Sequence, residues 1–349
     1  MSFGEAVAGL TAVDPAAAAD AAALHDRLAK PRGALGCLEA VGIRLAAIAG
    51  ICPPPVPEPV VVAVFAGDHG VLAEGVTPWP QEVTAQMVAA FCAGGAAVNV
   101  LARHAGADVV VVDVGVVAEL VPAPGLLVRK VRAGTANLAA GPAMTVDEAV
   151  RALDVGAAVA SDAVAAGARG LVTGDMGIGN TTASAALIAA LTGRAAAEVT
   201  GRGTGIDDAT LLRKIRLVEG AVGRAPDTGP LDVVAALGGL EIAALAGFIV
   251  GGAAARVPVM VDGVVALAGL LVAAALAPGC ADFCVAGHRS TEPGATAALE
   301  HLGLDPLLDL GMRLGEGTGA LLAVPLVQAA AKVLREMATL DSAGVTPKD

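Results

Sequence analysis

The stretch Leu171-Val172-Thr173-Gly174-Asp175-Met176-Gly177-Ile178-Gly179-Asn180-Thr181-Thr182 decides how the rest of this chain is read. Gly170–Val172 has the character of a buried strand end. Gly174, Gly177 and Gly179 permit a tight backbone path, and Asn180-Thr181-Thr182 opens the Ala-rich run Ala183–Leu191, where Asn or Thr can cap a helix. A glycine loop feeding a helix N-terminus presents N–H groups and a partial positive charge, which together favour a phosphate. Asp175 lies within that loop. A carboxylate beside a phosphate cradle is unfavourable unless it faces another part of the ligand, so Asp175 is a candidate for catalysis or sugar contact. An ordinary strand-to-helix turn has the same local sequence, and this loop alone leaves both readings open.

The same grammar recurs along the chain: a short β-branched run, a loop of Gly with Asp, His or Glu, then a long Ala/Leu helix. The expected strands are Val60–Phe65, Val109–Val114, Gly170–Val172, Pro258–Val261, Phe283–Ala286 and Leu307–Leu310. Continuous apolar runs alternating with helices predict an α/β fold, a Rossmann-like parallel sheet with helices on both faces. Ligands of such sheets bind beyond the carboxyl ends of the strands. The polar loops fall there: Gly67-Asp68-His69-Gly70, Asp113, Gly174-Asp175, Asp262-Gly263, Gly287-His288-Arg289 and Gly315-Glu316-Gly317.

Composition narrows the classes. Of 349 residues, 56% are hydrophobic, and the mean hydropathy of +0.72 raises the question of a membrane. Gly263–Ala277 is uncharged but too short to span, and Ile242–Ala255 is flanked closely by Glu241 and Arg256, so a dense Ala-rich interior is expected and no membrane span. A net charge of −12 with 2% aromatics excludes a nucleic-acid binder, whose phosphates would be repelled. Five scattered cysteines do not suit a secreted disulfide scaffold. Cys280 and Cys284 are the only close pair, and without further ligands they read as reduced thiols and not as a metal site. The N-terminus lacks an export signal, so the expected compartment is the cytoplasm.

Residues 1–50 read as helical, with Asp14-Pro15 opening one helix and Lys30-Pro31-Arg32-Gly33 interrupting the next stretch before Leu35–Ala49. The Pro-rich connection from Ile51 marks the start of a nucleotide- and base-binding α/β domain, 51–320. A terminal helix, Leu321–Leu334 within 321–340, is expected to pack with 1–50 as a small helical domain, and 341–349 reads as a loose tail. Two further glycine runs, 201–207 and 315–319, match neither a dinucleotide fingerprint nor a Walker loop, which removes support for NAD and ATP. The helix beginning at Asp207-Asp208 carries Lys214, either part of a solvated face or a second phosphate ligand. No Cys-His or Ser-His-Asp arrangement accompanies these loops, so displacement at a sugar carbon with a carboxylate base is favoured over acyl transfer. Glu316, between glycines and ahead of an apolar helix, is the best candidate for that base. A glutamate at a helix start also simply complements the macrodipole.

The motifs Gly67-Asp68-His69-Gly70-Val71, Glu74–Thr77, Pro80–Thr84, Gly174–Thr182, Gly287–Ser290 with Glu292-Pro293-Gly294, and Arg313–Ala320, together with Lys30–Gly33, resemble the nicotinate-nucleotide:dimethylbenzimidazole phosphoribosyltransferases of cobamide biosynthesis. The resemblance spans nearly the whole chain. It implies transfer of the phosphoribosyl group of nicotinate mononucleotide to 5,6-dimethylbenzimidazole, giving α-ribazole phosphate and nicotinate. It assigns Glu316 as the base that takes the benzimidazole N–H proton and Asp175 to an acidic position beside the ribose, where relatives carry Glu. Gly174, Gly177, Gly179, Asn180, Thr181, Gly203, Lys214 and Asp262 go to the phosphate and ribose side. Thr77, where Ser is usual, goes to the base-binding side with Gln86, Asp68, His69 and Leu314. A homodimer is implied.

Nicotinate leaves a cationic pyridinium as a neutral ring nitrogen, so no metal or cofactor is expected, and attack opposite the leaving group inverts C1′. Ala34 and Cys37 depart from the Ser and Arg expected after Lys-Pro-x-Gly, and Trp79 lies in the base-binding segment. These departures bear on the acceptor. The competing readings are transfer to adenine, another benzimidazole or a phenol, and a non-catalytic nucleotide sensor, against which an intact Glu316 argues.

Overall fold

Six short β-branched runs form one parallel sheet in the order β3-β2-β1-β4-β5-β6. The computed structural model describes residues 1–345. The strands are β1 Val60–Gly67, β2 Ala107–Gly115, β3 Leu126–Val128, β4 Gly170–Met176, β5 Val259–Val261 and β6 Cys284–Ala286. The helices in chain order begin with α1 Phe3–Gly9, α2 Pro15–Arg27, α3 Cys37–Ala49, α4 Glu82–Cys92, α5 Ala97–Ala105, α6 Val146–Ala165 and α7 Asn180–Thr192. They continue with α8 Ala196–Val199, α9 Asp208–Val222, α10 Pro230–Leu237, α11 Leu240–Ala254, α12 Val264–Leu276, α13 Pro293–Leu302 and α14 Thr318–Glu336.

The central strand shows why continuous apolar runs were required. Along β1, Ala63 and Phe65 face one core while Val60, Val62, Val64 and Ala66 face the other. The first core is covered by α6, α7, α11 and α12. The second is covered by α4, α5 and α14. Both faces are therefore buried, and the period-2 alternation has no polar side to show. The runs Ile242–Ala255 and Gly263–Ala277 are spent in this interior, since α11 and nearly all of α12 are buried. Their small residues have a packing reason: added Cβ atoms at Gly156 of α6 or Gly247 of α11 would collide with the facing helix's backbone. Of the stretches long and apolar enough to cross a bilayer, Thr318–Glu336 is over half buried against the sheet.

The strand order places a topological switch at β1 and β4. The chain leaves β1 toward β2 and β3, then returns to lay β4 on the other side, with Phe65 opposite Asp175 and Ala66 opposite Met176. Crevices at such points are where this architecture binds ligands. Leu307–Leu310 is not a strand. It makes one parallel bridge, Leu308 with His288, because Leu310 points to solvent and Gly311 turns the chain. β3 escaped the sequence reading because its three residues lie among Pro122, Pro124 and Gly125.

At the ends of the chain, α2 and α3 pack with the last turns of α14 around Ala21, Ala46 and Leu334. Two strand-like bonds, Ala29 N–H to Ala338 O and Leu340 N–H to Arg27 O, tie the two terminal segments together. α1 is elsewhere, against α6 and α11. The expected tail at 341–349 begins with a hydrogen-bonded turn, Ala343 to Thr339 and Val345 to Leu340. Residues 346–349 lie outside the described residues.

Candidate active site

A cavity of about 420 Å³ opens beyond β4, β5 and β6. One end is built by the glycine loop and the start of α7. Gly179, not Asn180, occupies the N-cap position, in the left-handed region at φ 97°, and no side chain caps the helix. Asn180 is used differently: its Nδ2 donates to Asp175 Oδ2 at 3.0 Å. Gly177, Gly179, Asn180 and Thr181 all line the cavity with the helix N-terminus behind them. Lys214 reaches them from α9. It is 1% exposed, and its Nζ donates to Thr181 Oγ1 at 2.8 Å and to Gly201 O at 3.2 Å. Burial pulls its ammonium down to about 8 against the opposing charge of Glu292. Lys214 is thus not part of a solvated face. Gly203 completes this end in the loop after α8.

Two acids, Asp175 and Glu316, line the same cavity. Glu316 sits at φ 63°, a backbone state that costs a non-glycine residue about 1–3 kcal/mol and clusters at functional sites. Its carboxylate is buried, and Oε2 has no hydrogen-bond partner. Burial pushes the acid above the usual range, the N–H of Val98 opposes this, and the charge of Asp262 reinforces it. Asp175 is pushed well up by burial first, then by Asp262, Glu241 and Glu316, with Asn180 opposing. Gly315 rests against it: an added Cβ there would lie 3.2 Å from Asp175 Oδ2. A titrating carboxylate with an unpaired oxygen, held in a strained turn on a cavity wall, is suited to accept a proton.

Much of the remaining wall is apolar, with Val76, Val83, Met87, Met176, Val264 and Val265. Thr77 lines it and is fastened across the mouth to Thr204, with 2.9 Å between their hydroxyls. Leu314 and Trp79 border the same space and are 56% and 50% exposed.

Several expected site residues are placed elsewhere. Gln86 is exposed and does not line the cavity, because Val83 and Met87 take the inward face of α4 and Gln86 falls off that stripe. Asp68 and His69 lie behind the glycine loop and not beside a base. His69 Nε2 meets Glu241 Oε1 at 2.6 Å, both side chains wholly buried, and the imidazole backs Gly177 and Gly179. Burial alone would lower the His69 pKa, but the Glu241 carboxylate outweighs it and the net shift is upward. Asp68 Oδ2 accepts from Val117 N–H at 2.8 Å. Asp262 lies under the start of α14, taking the N–H groups of Gly317 at 3.1 Å and Ala320 at 2.9 Å. Gly174 supports the Glu316 carbonyl so closely that an added Cβ would lie 2.8 Å from it. Asp68, His69, Asp262 and Gly174 hold the site from outside the cavity.

Glu241, Glu292 and Arg313 went unassigned in the sequence. Glu241 looked like the polar flank of an apolar run, and a lone carboxylate opening an otherwise wholly apolar helix was its signal. Among the described residues no group of three or more His, Cys, Asp or Glu side chains is placed to hold a metal ion. Cys280 and Cys284 are buried thiols, the former pushed up to about 12 by burial.

A family model described as phosphoribosyltransferase matches residues 10–345. The chain belongs to this phosphoribosyltransferase family. A nicotinate-nucleotide–dimethylbenzimidazole phosphoribosyltransferase of Salinispora tropica is 56% identical, with 100% of each chain covered. One of that name from Chloroflexus aurantiacus is 54% identical over 96% of each. The crystal structure of CobT from Thermus thermophilus superposes with a TM-score of 0.92 at 53% identity, covering 96% of this chain and 100% of that one. As a phosphoribosyltransferase of this family the chain is a pentosyl-transferring enzyme on an α/β scaffold, and Gly67–Val71, Gly174–Thr182 and Arg313–Ala320 all fall at its switch-point crevice.

Proposed function

We propose that this enzyme transfers the phosphoribosyl group of nicotinate mononucleotide to 5,6-dimethylbenzimidazole, forming α-ribazole 5′-phosphate and nicotinate for the lower ligand of cobalamin. The observation that carries the reading is the position of Glu316: a buried carboxylate with one oxygen unbonded, on the wall of the same cavity as the start of α7 and Lys214. The phosphate lies against Gly177–Thr181, Gly203 and Lys214, where helix dipole and ammonium favour it. The ribose lies toward Asp175, whose raised pKa suits it to donate to a sugar oxygen. The flat acceptor enters among Val76, Met87, Met176 and Val264, which offer methyl and methylene groups and no edge to pair with adenine. One benzimidazole nitrogen attacks C1′ while the bond to nicotinate breaks and its electron pair returns to the pyridine nitrogen. Glu316 takes the proton from the other benzimidazole nitrogen. Attack opposite the departing ring inverts C1′ to the α configuration.

Incubation with nicotinate mononucleotide and a panel of dimethylbenzimidazole, benzimidazole, adenine and phenol tests this, with product mass and anomeric configuration determined. A product with the β configuration, or no product with any benzimidazole, overturns the reading. We further propose a cytoplasmic homodimer. Five unpaired thiols fit a reducing compartment, and exposed Trp79 and Leu314 on the cavity wall fit coverage by a second copy. Light scattering during size-exclusion chromatography gives the mass that decides it.

A further inference from the structure

Glu292 lines the cavity, is 6% exposed, and has no part in the chemistry above. It stands at the N-cap of α13 but makes no side-chain cap bond to that helix. Its carboxylate is committed to the loop after α8 instead. Oε1 accepts the Gly203 N–H at 2.8 Å, and Oε2 packs on Gly201 so closely that no Cβ fits there. The carbonyl of that same Gly201 receives Lys214. One acidic side chain therefore fixes an amide and a carbonyl's residue on a single turn, and the cation hangs from that turn.

Lys214's two direct partners, a hydroxyl and a carbonyl, carry no charge. The charged groups on the elements around it are otherwise engaged. Arg202 turns to Asp208 and to the carbonyl of Ile206, and Arg313 donates to the carbonyl of Gly203. Glu198 of α8 accepts from Ala195 N–H, and Arg213 of its own helix reaches Thr210. Glu292 is the carboxylate whose charge reaches the ammonium.

We propose that Glu292 is a positioning residue for the donor's phosphate: it fixes the Gly201–Gly203 turn that holds Lys214 and sets a carboxylate charge beside that ammonium before the nucleotide arrives. This rests on the reading of that end as the phosphate site. With Lys214 near 8, a substantial share of it is already neutral at mildly alkaline pH, and a neutral amine is a poor phosphate ligand. Removing the Glu292 charge leaves burial unopposed and moves the loss of the ammonium to lower pH.

Steady-state kinetics of Glu292→Gln, Lys214→Arg and the double variant at about pH 7 and about pH 9 test the proposal. Glu292→Gln should raise KM for nicotinate mononucleotide roughly three- to tenfold more at the higher pH than at the lower, with kcat within about threefold. In the Lys214→Arg background, where the cation cannot lose its proton, the same change should raise KM by one factor at both pH values. A pH-independent rise with Lys214 present, an unchanged KM, or a loss confined to kcat overturns the proposal. Should the amide variant not fold, Glu292→Asp carries the test, since it keeps the charge but is too short to reach Gly203. An unchanged KM at every pH then overturns the proposal. If Lys214→Ala leaves KM untouched, it is the phosphate reading itself that fails, and this inference falls with it.

Discussion

The starts of α7 and α14 are built alike and used oppositely. α7 follows the loop at the end of β4 and α14 the loop after α13; each has a left-handed glycine at the N-cap, Gly179 at φ 97° and Gly317 at φ 88°, so neither N-cap residue can supply a capping side chain. Both should attract an anion. At α14 the anion is internal: Asp262 fills the position, bonding the N–H groups of Gly317 and Ala320. At α7 no carboxylate takes that place among the described residues, and Gly177–Thr181 line the cavity. A helix N-terminus is thus a ligand site only where the fold has left it unoccupied, and an internal carboxylate turns the same geometry into a mount for the residue before it, Glu316.

The sharpest break in the comparison is chemical. Glu316→Gln should lower kcat by about 10²–10⁴ with both KM values little changed, because the amide keeps shape and loses basicity. Since the Glu316 pKa is raised, wild-type kcat should fall as pH drops through that raised value and the acid protonates, and the variant should lose this limb. A near-normal kcat at saturating substrates makes Glu316 structural and passes the role to Asp175. On the α7 side, Lys214→Ala should cost roughly 1.5–3 kcal/mol in kcat/KM, carried by KM for the nucleotide, since a contact remote from C1′ binds ground and transition states alike. A large fall in kcat at unchanged KM contradicts it.

The sequence displayed the loops but not their occupancy. The sheet was legible because both faces of β1 are buried, which leaves unbroken apolar runs, and the resemblance of the loops carried the family. What stayed hidden depends on contacts between residues far apart in the chain. Nothing local to Asp262 shows that it reaches Gly317 and Ala320, fifty-odd residues on. His69 looked like a rim residue because its partner Glu241 sits 172 positions away. Gln86 stands one residue from Met87, which lines the cavity, since a motif gives order along the chain and not the direction a helix turns.

The glycines give a smaller and cleaner contrast, read as stability. An alanine Cβ at Gly317 would lie 2.9 Å from Val62 and 3.0 Å from the carbonyl of Thr173, on top of its positive φ, whereas at Gly179 the nearest atom is His69 Cβ at 3.5 Å. Gly317→Ala should therefore destabilise by about 2–4 kcal/mol and Gly179→Ala by about 1–2, the latter from backbone strain alone. Denaturant midpoints measure both, and equal losses would show that crowding beneath α14 is relieved by adjustment.

The smallest effect tests whether Asp262 acts on Glu316 through charge as well as through the α14 mount. Asp262 raises the pKa of both Glu316 and Asp175. Asp262→Asn removes that charge and keeps one of the two acceptor oxygens that bond α14, so both acids should ionise more readily. The acidic limb of kcat should then move to lower pH, the sign expected when a like charge is withdrawn from a carboxyl. The plateau rate at higher pH should fall, because the single amide oxygen can accept from only one of the Gly317 and Ala320 N–H groups and leaves the other facing the NH2 donor. A limb that stays in place while the plateau falls would assign Asp262 to the mount alone. A limb that moves upward would mean that Glu316 has shifted deeper into the protein, and that its setting depends on Asp262 more than the distances at α14 imply.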